Sequence, residues 1–155
     1  LKGISSRYQT TLVYATSAGA NDELIFDGRS YVWGPDGSLL AEGKAFQEDE
    51  ILIDTRTTKP IRPSDLNDIQ NIYDALLLGI KDYCQKQNFK TAVVGLSGGI
   101  DSAVVSCLAV DALGVENVVG VLMPSRFTSK ESNDDALQMS RVIKNPIHIF
   151  IIEDL

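Results

Sequence analysis

One eight-residue stretch combines glycines, serines and an acid in a spacing suited to phosphate chemistry. Residues 95–102 read GLSGGIDS and lie between an apolar run, residues 91–96, and a helix-like run, residues 103–110. In an α/β unit, ligands bind at the loop that follows the carboxyl end of a strand. Gly98 and Gly99 allow a tight backbone and close approach of a ligand. Since the free N–H groups of the next helix's first turn favour an anion, the stretch predicts a phosphate or pyrophosphate site.

Asp101 opposes such a ligand, because a carboxylate repels phosphates. A divalent cation between the two removes the repulsion, and Mg²⁺ usually sits between carboxylates and substrate phosphates. We therefore predict that Asp101 is a Mg²⁺ ligand. The alternative is an acid at the helix start that is stabilised by the helix dipole. The hydroxyl groups of Ser97 and Ser102 add further donors for phosphate oxygens.

Two other glycine-rich phosphate loops are excluded. A P-loop requires G-x-x-x-x-G-K-[ST], and no lysine follows Gly99. A dinucleotide fingerprint requires G-x-G-x-x-G and an acid after the second strand. This sequence has neither, and its second strand ends in VLMP, residues 121–124.

Alternating strands and helices after residue 64 position the loop. Apolar spacing predicts the helices 65–87, 100–113 and 131–143 and the strands 91–96, 118–123 and 147–152. Ser64 is the predicted N-cap of the first helix. This alternation implies a parallel sheet with right-handed connections. Met123 and Arg126 follow the second strand at the edge of the sheet that carries the loop. Gly95 and Leu96 end the strand that leads into the loop.

The chain before residue 60 reads as β-rich. Short apolar runs predict strands at residues 12–15, 23–27, 30–33, 38–41 and 51–53, in the spacing of a meander. The sequence Gly34-Pro-Asp-Gly37 is strong turn chemistry between two of them. Residues 54–63 contain two prolines and few large apolar side chains, which indicates a linker.

Composition narrows the class of protein. The 155 residues are 44% hydrophobic, enough for a real core, and their net charge of −7 argues against a general nucleic-acid or membrane-surface binder. No signal-peptide pattern or membrane-length apolar stretch occurs. Cys84 and Cys107 lack metal-site spacing and fit the reduced thiols of a cytoplasmic protein. His148, the single histidine, is expected in a core or edge position rather than in catalysis.

At SGGIDS the sequence resembles the N-type ATP pyrophosphatase, or PP-loop, superfamily, whose signature is SGG-x-DS after a strand. The flanking residues 72–83, 95–114 and 121–126 narrow this to a resemblance to the glutamine-dependent NAD⁺ synthetases. Residues 19–30 are similar to the late part of the nitrilase-type glutaminase domain that this family carries ahead of its synthetase domain. The implied fold is an α/β, parallel-sheet, adenine nucleotide alpha hydrolase-like (Rossmann-like) unit preceded by an incomplete β-rich nitrilase-type segment. The implied domains are a glutaminase part (1–54), a linker (55–63) and a synthetase part (64–155).

The resemblance also implies a reaction. Deamido-NAD⁺ is adenylated by MgATP with release of pyrophosphate, and ammonia made from glutamine and passed through a tunnel then displaces AMP. The implied cofactors are ATP and Mg²⁺, with Asp101 as the metal ligand, and a homo-oligomer is expected. Ser6 and Arg7 are possible glutamine contacts, although a surface role fits them better. The implied ATP and pyrophosphate contacts are Gly95, Leu96, Ser97, Gly98, Gly99, Ile100, Asp101 and Ser102. Gly95 and Leu96 either contact adenine or ribose through their backbone or simply pack in the strand. Met123 and Arg126 either border the nucleotide or belong to a solvated loop.

Parts of the family pattern are absent from these residues. The Glu-Lys-Cys triad of the glutaminases lies upstream of the matching segment, and neither Cys84 nor Cys107 stands in its context. Because the chain begins with leucine and the synthetase resemblance stops near its third strand, we expect a middle piece of a longer enzyme that is inactive alone. The alternatives are another PP-loop amidoligase and a non-catalytic nucleotide-binding or assembly module.

Overall fold

A computed structural model describes residues 1–65 and 67–152. The chain divides into two compact units, Leu1–Gly79 and Ile80–Leu155, and the division falls inside one helix. Among the described residues, none of the helices combines the length and the apolar character needed to cross a bilayer.

The first unit is built mainly from short antiparallel strands. One sheet has the order β1-β4-β5, and β2 and β3 form a separate antiparallel pair. The core consists of Val32, Leu40 and Ala41, against which Ile51 and Ile53 pack. The elements are α1 (Lys2–Tyr8), β1 (Leu12–Tyr14), β2 (Ala18–Asn21), β3 (Leu24–Asp27), β4 (Tyr31–Trp33) and β5 (Leu39–Glu42).

Two predictions for this unit are wrong, and two of its elements were not predicted. Residues 51–53 form no strand, because Ile51 and Ile53 bury their side chains on the core from an irregular segment. The strands do not form a meander, since β1 pairs with β4 rather than with its neighbour in sequence. Helix α1 and strand β2 were not predicted, because α1 is short and β2, with the sequence AGAN, has no β-branched or aromatic residue.

The predicted turn between β4 and β5 is confirmed. The amide of Gly37 donates to the carbonyl of Gly34 at 2.9 Å, and Gly37 has φ = +79°, which glycine adopts without strain. The Asp36 carboxylate accepts hydrogen bonds from the Ser38 hydroxyl at 2.6 Å and from its amide at 2.9 Å. These two bonds hold the pKa of Asp36 below its ordinary value, and the bond from the Ser38 hydroxyl has the larger effect.

The second unit is the predicted parallel α/β sheet. Its strands have the order β6-β7-β8, all parallel, and Leu96, Leu122 and Ala136 form its core. A one-turn 3-10 helix, Val115–Asn117, precedes β7. The elements are β6 (Ala92–Leu96), α3 (Ile100–Leu113), β7 (Val118–Leu122), α4 (Lys130–Ile143) and β8 (Ile147–Ile149); α2 (Asp68–Lys86) spans the division between the units.

The predicted bounds of α3 are confirmed, and Gly114 ends the helix with φ = +89° and an amide bond to the Val110 carbonyl at 2.8 Å. Strand β8 ends at Ile149 rather than at residue 152, although the amide of Ile152 still donates to the Pro124 carbonyl at 3.0 Å.

The start of α2 differs from the prediction. Ser64 does not cap this helix, because its amide and hydroxyl both donate to the carboxylate of Glu42. The side chain of Asn67 accepts instead from the amides of Ile69 at 3.1 Å and Gln70 at 3.2 Å, so the helix begins at Asp68. Residue 66 of the predicted helix lies outside the described residues.

Candidate functional site

The GLSGGIDS loop is shaped by one glycine that has no room for a side chain. Gly98 has φ = +79°, and a Cβ built on it would collide with the Ser132 carbonyl oxygen and lie 2.8 Å from the Ser132 Cα. The loop therefore rests directly on the first turn of α4. Both its backbone conformation and its closeness to α4 require glycine at this position.

The two serine hydroxyls organise the loop from within. The Ser102 hydroxyl donates to the Gly99 carbonyl at 2.9 Å and accepts from the Ser97 amide at 3.3 Å. The Ser97 hydroxyl accepts from the Gly99 amide at 3.2 Å and lies 3.1 Å from the Ser102 hydroxyl. A hydroxyl carries a single proton, so Ser97 is the donor between them when Ser102 bonds to Gly99. These hydroxyls hold the loop in a defined shape, a role that the sequence alone did not indicate.

Helix α3 begins at this loop without a side-chain cap. Its N-cap is Gly99, which has no side chain, and the first bond of the helix backbone runs from the Ala103 amide to the Gly99 carbonyl at 3.2 Å. The amides of residues 100–102 precede this bond, so as the first N–H groups of a helix they have no intrahelical partner. Together with the helix dipole they favour an anion at the loop.

Asp101 lies in the first turn of α3 and is exposed. Its position agrees both with a metal ligand and with an acid that is stabilised by the helix dipole. Among residues 1–65 and 67–152 there is no group of three or more His, Cys, Asp or Glu side chains able to hold a metal ion. A single carboxylate beside an anion-favouring loop fits Mg²⁺, which commonly completes its coordination with substrate phosphates and water.

The parallel register brings the segment after β7, which contains Met123 and Arg126, to the edge of the sheet that carries the GLSGGIDS loop. Leu96 pairs with Leu122, so Ser97 and Met123 are the next residues of neighbouring strands. Met123 is 51% exposed, and the Arg126 guanidinium carbon lies 4.8 Å from the centre of the Phe127 ring. The loop is held by the Thr128 hydroxyl, which accepts from the Ser125 amide at 3.0 Å. Met123 and Arg126 thus stay predicted borders of a nucleotide.

A cavity of about 490 Å³ lies on the α4 side of the GLSGGIDS loop, residues 95–102, which we call the phosphate loop after its predicted ligand. Its walls include five of the predicted residues and one face of α4, which the sequence analysis missed. The amphipathic spacing of α4 was the available signal, but it indicated only which face is apolar, not that this face adjoins the loop. The predicted residues are Leu96, Gly98, Gly99, Ile100 and Ser102, and the α4 residues are Asp135, Ala136, Gln138, Met139 and Val142. Gly95, Ser97 and Asp101 do not line it.

The remaining candidates lie outside the GLSGGIDS segment of the sequence. Ser6 and Arg7 belong to α1 in the first unit; the Ser6 hydroxyl donates to the Lys2 carbonyl at 3.1 Å, and the Arg7 guanidinium lies over Tyr8. Both cysteines are free and half-buried. His148 is exposed on β8, beside the Phe150 ring. A glutamine contact at Ser6 or Arg7 stays a prediction.

Comparison with known proteins gives a consistent family. Residues 72–155 match the sequence model of the NAD synthase family. The chain is 38% identical to a glutamine-dependent NAD(+) synthetase of Aquifex aeolicus, over 93% of this chain and 32% of that protein. It superposes on the glutamine-dependent NAD+ synthetase of Acinetobacter baumannii, solved in complex with ADP, with a TM-score of 0.89 and 34% identity, over 98% of this chain and 30% of that one.

A third relative matches a smaller part of the chain. The NH3-dependent NAD synthetase of Campylobacter jejuni, solved with a nitrate ion, is 35% identical with a TM-score of 0.52, over 56% of this chain and 37% of its own.

The chain spans about a third of the length of the glutamine-dependent relatives. The match of the family model to residues 72–155, which include the whole phosphate loop and the parallel sheet, shows that this chain belongs to the NAD synthase family.

Proposed function

We propose that the chain forms the ATP-binding part of a glutamine-dependent NAD⁺ synthetase. In this reaction a carboxylate oxygen of deamido-NAD⁺ attacks the α-phosphate of ATP and pyrophosphate leaves. Ammonia derived from glutamine then attacks the adenylated carbonyl carbon, and AMP leaves as the amide of NAD⁺ forms. The overall reaction is the formation of a carbon–nitrogen bond driven by ATP.

The phosphate loop is the observation that carries this proposal. Charge develops on the departing pyrophosphate, and fixed amide donors stabilise such charge without having to reorganise during the reaction. The amides of residues 100–102 at the start of α3 are donors of this kind, and the hydroxyls of Ser97 and Ser102 hold the loop around them. The ADP complex of the Acinetobacter baumannii relative supports a nucleotide at this fold.

Asp101 is the residue we propose to hold Mg²⁺. The ion would neutralise charge on the ATP phosphates, which the exposed carboxylate alone would repel. The residues of the chain bind and orient the phosphates around that ion. Glutamine, ammonia, ATP and deamido-NAD⁺ are the proposed substrates, and a homo-oligomer in the cytoplasm is the proposed state.

The test is the removal of the Asp101 carboxylate in the full-length enzyme. We expect Asp101→Ala and Asp101→Asn to abolish NAD⁺ formation from glutamine and from added ammonia alike, because ATP activation precedes both. Glu116→Gln is the matched control, since Glu116 is an exposed acid in the 3-10 turn at the opposite end of β7. Normal turnover with ammonia in the Asp101 variants would refute the proposed role.

A further inference from the structure

A cluster of polar side chains in the first unit, centred on two largely buried charges, joins its strands to the start of α2. The cluster consists of Arg29, Glu42, Ser64 and Asn71, and we call it the Arg29–Glu42 clamp. None of its four residues belongs to the phosphate loop or the cavity beside it. Charged side chains are seldom this deeply buried unless they are paired.

Glu42 is the centre of the clamp. It is the last residue of β5, and its side chain is only 7% exposed. One carboxylate oxygen accepts from the Ser64 amide at 2.8 Å and from the Ser64 hydroxyl at 3.0 Å. The other lies 3.8 Å from Nη1 of Arg29, within ion-pair range but beyond hydrogen-bond range.

Arg29 extends the clamp to the helix. Its side chain is 11% exposed, and Nη2 donates to the Asn71 side-chain oxygen at 2.8 Å. Nη1 is buried and finds no hydrogen-bond acceptor among the described protein atoms. Burying two charges carries a desolvation penalty that their attraction often fails to offset. The arrangement is therefore poorly suited to adding stability and well suited to fixing a geometry.

The geometry that it fixes is the path of the chain into α2. Residues 54–65 are almost entirely exposed, and the Ile61 amide also ties them to the strands by donating to the Leu39 carbonyl at 2.8 Å. Further along α2, a Cβ on Gly79 would lie 3.1 Å from the Ile25 side chain, so the helix also packs closely on β3 two turns beyond Asn71. The clamp and Gly79 thus hold α2 at two points on the first unit.

The position of the clamp in the sequence suggests a function for the attachment of α2 to the first unit. All four residues precede Ile72, where the NAD synthase family match begins. The glutamine-dependent relative from Acinetobacter baumannii matches 98% of the chain, whereas the NH3-dependent relative matches 56%. The clamp therefore lies just before the segment that the family model matches, in a part of the chain that the glutamine-dependent relative also covers.

We infer that the Arg29–Glu42 clamp couples the use of glutamine nitrogen to amidation by fixing how α2 leaves the first unit. This inference rests on the proposed function. Nitrogen released from glutamine must reach the adenylate before it escapes to solvent, and this transfer depends on alignment within the enzyme. Ammonia added to the solution reaches the adenylate without it. The clamp residues are positioning residues and contact no reacting atom.

The experiment compares the two nitrogen sources in the full-length enzyme. Asn71→Ala removes the side-chain oxygen that accepts from Arg29 and replaces it with a good helix former. Ser64→Ala removes the exposed hydroxyl that donates to Glu42. We expect both variants to fold. Glu42→Gln removes the buried charge itself. Glu23→Gln, an exposed acid between β2 and β3, is the matched control.

For Glu42→Gln and Asn71→Ala we expect NAD⁺ formation from glutamine to fall about tenfold while formation from saturating ammonia changes less than about twofold. Ser64→Ala should give a smaller shift in the same direction, and Glu23→Gln none. A folded clamp variant in which both rates stay the same would overturn the inference. A variant in which both rates fall by the same factor would also overturn it, because an equal fall marks a merely structural role. If Glu42→Gln does not fold, Asn71→Ala decides in the same way. Failure of the unaltered enzyme to use ammonia would instead overturn the proposed function.

Discussion

The contact of Gly98 with Ser132 makes the phosphate loop sensitive to a single methyl group. The left-handed backbone of Gly98 and the Ser132 carbonyl both oppose a side chain there. Ser97 and Ser102 then lock the same loop through hydrogen bonds to its own backbone. The loop's own groups thus define its shape, which reduces the ordering that a bound ligand must supply.

We expect Gly98→Ala to lower the free energy of unfolding by about 2 kcal/mol or more, because strain and overpacking add at one position. ATP affinity should fall with it, since α4 and the loop must separate. Gly95→Ala is the matched control for stability, as a Cβ on Gly95 meets no heavy atom within 4 Å. Denaturant unfolding with both variants measures the difference. Equal stability of the two would show that the loop can move away from α4 at little cost.

At the scale of elements, the start of α4 carries part of the same site. Ser129 caps this helix by accepting from the Ser132 amide at 3.0 Å, and its hydroxyl donates to the Ser132 hydroxyl at 2.8 Å. The residue that the cap fixes is the one against which Gly98 packs. Loss of the cap should therefore loosen both the helix end and the loop.

We expect Ser129→Ala to destabilise the protein by about 1 kcal/mol, the usual cost of losing an N-cap acceptor. Ser129→Asn keeps an acceptor in the same position and should retain most of the stability. Thermal or urea unfolding of the two variants against the unaltered protein checks this. A loss in Ser129→Asn as large as in Ser129→Ala would show that the acceptor is not what matters.

The elements that sequence could predict are those in which local signals agree. Helix α3 has a glycine at each end and mostly apolar residues between them, and its predicted bounds match the structure. Residues 51–53 and Ser64 show the limit, because their roles depend on distant partners: the core around Val32 and the Glu42 carboxylate. The site follows the same rule. The spacing of SGGIDS indicated phosphate chemistry, but no local pattern indicates that α4 forms a wall of the cavity.

At the scale of the whole molecule, the described residues hold one part of the proposed machinery. They place one acidic side chain, Asp101, in the phosphate loop and contain no larger cluster of metal-ligating side chains. The chain also spans about a third of its glutamine-dependent relatives. We therefore propose that these residues supply the nucleotide loop of the synthetase reaction.

We expect the 155-residue chain, assayed alone with ATP, deamido-NAD⁺ and ammonia, to form no NAD⁺. The full-length enzyme under the same conditions is the positive control, and circular dichroism establishes that the shorter chain is folded. Measurable NAD⁺ from the shorter chain would show that these residues are sufficient for catalysis.

Strand β4 places the only tryptophan of the sequence, Trp33, in the first unit, while the phosphate loop belongs to the second. Indole fluorescence is consequently an intrinsic optical label for one half of the molecule. Helix signal at 222 nm comes mostly from the other half and from α2. Recorded in one heating experiment, the two signals distinguish a chain that melts as a single cooperative block from one whose halves melt in succession.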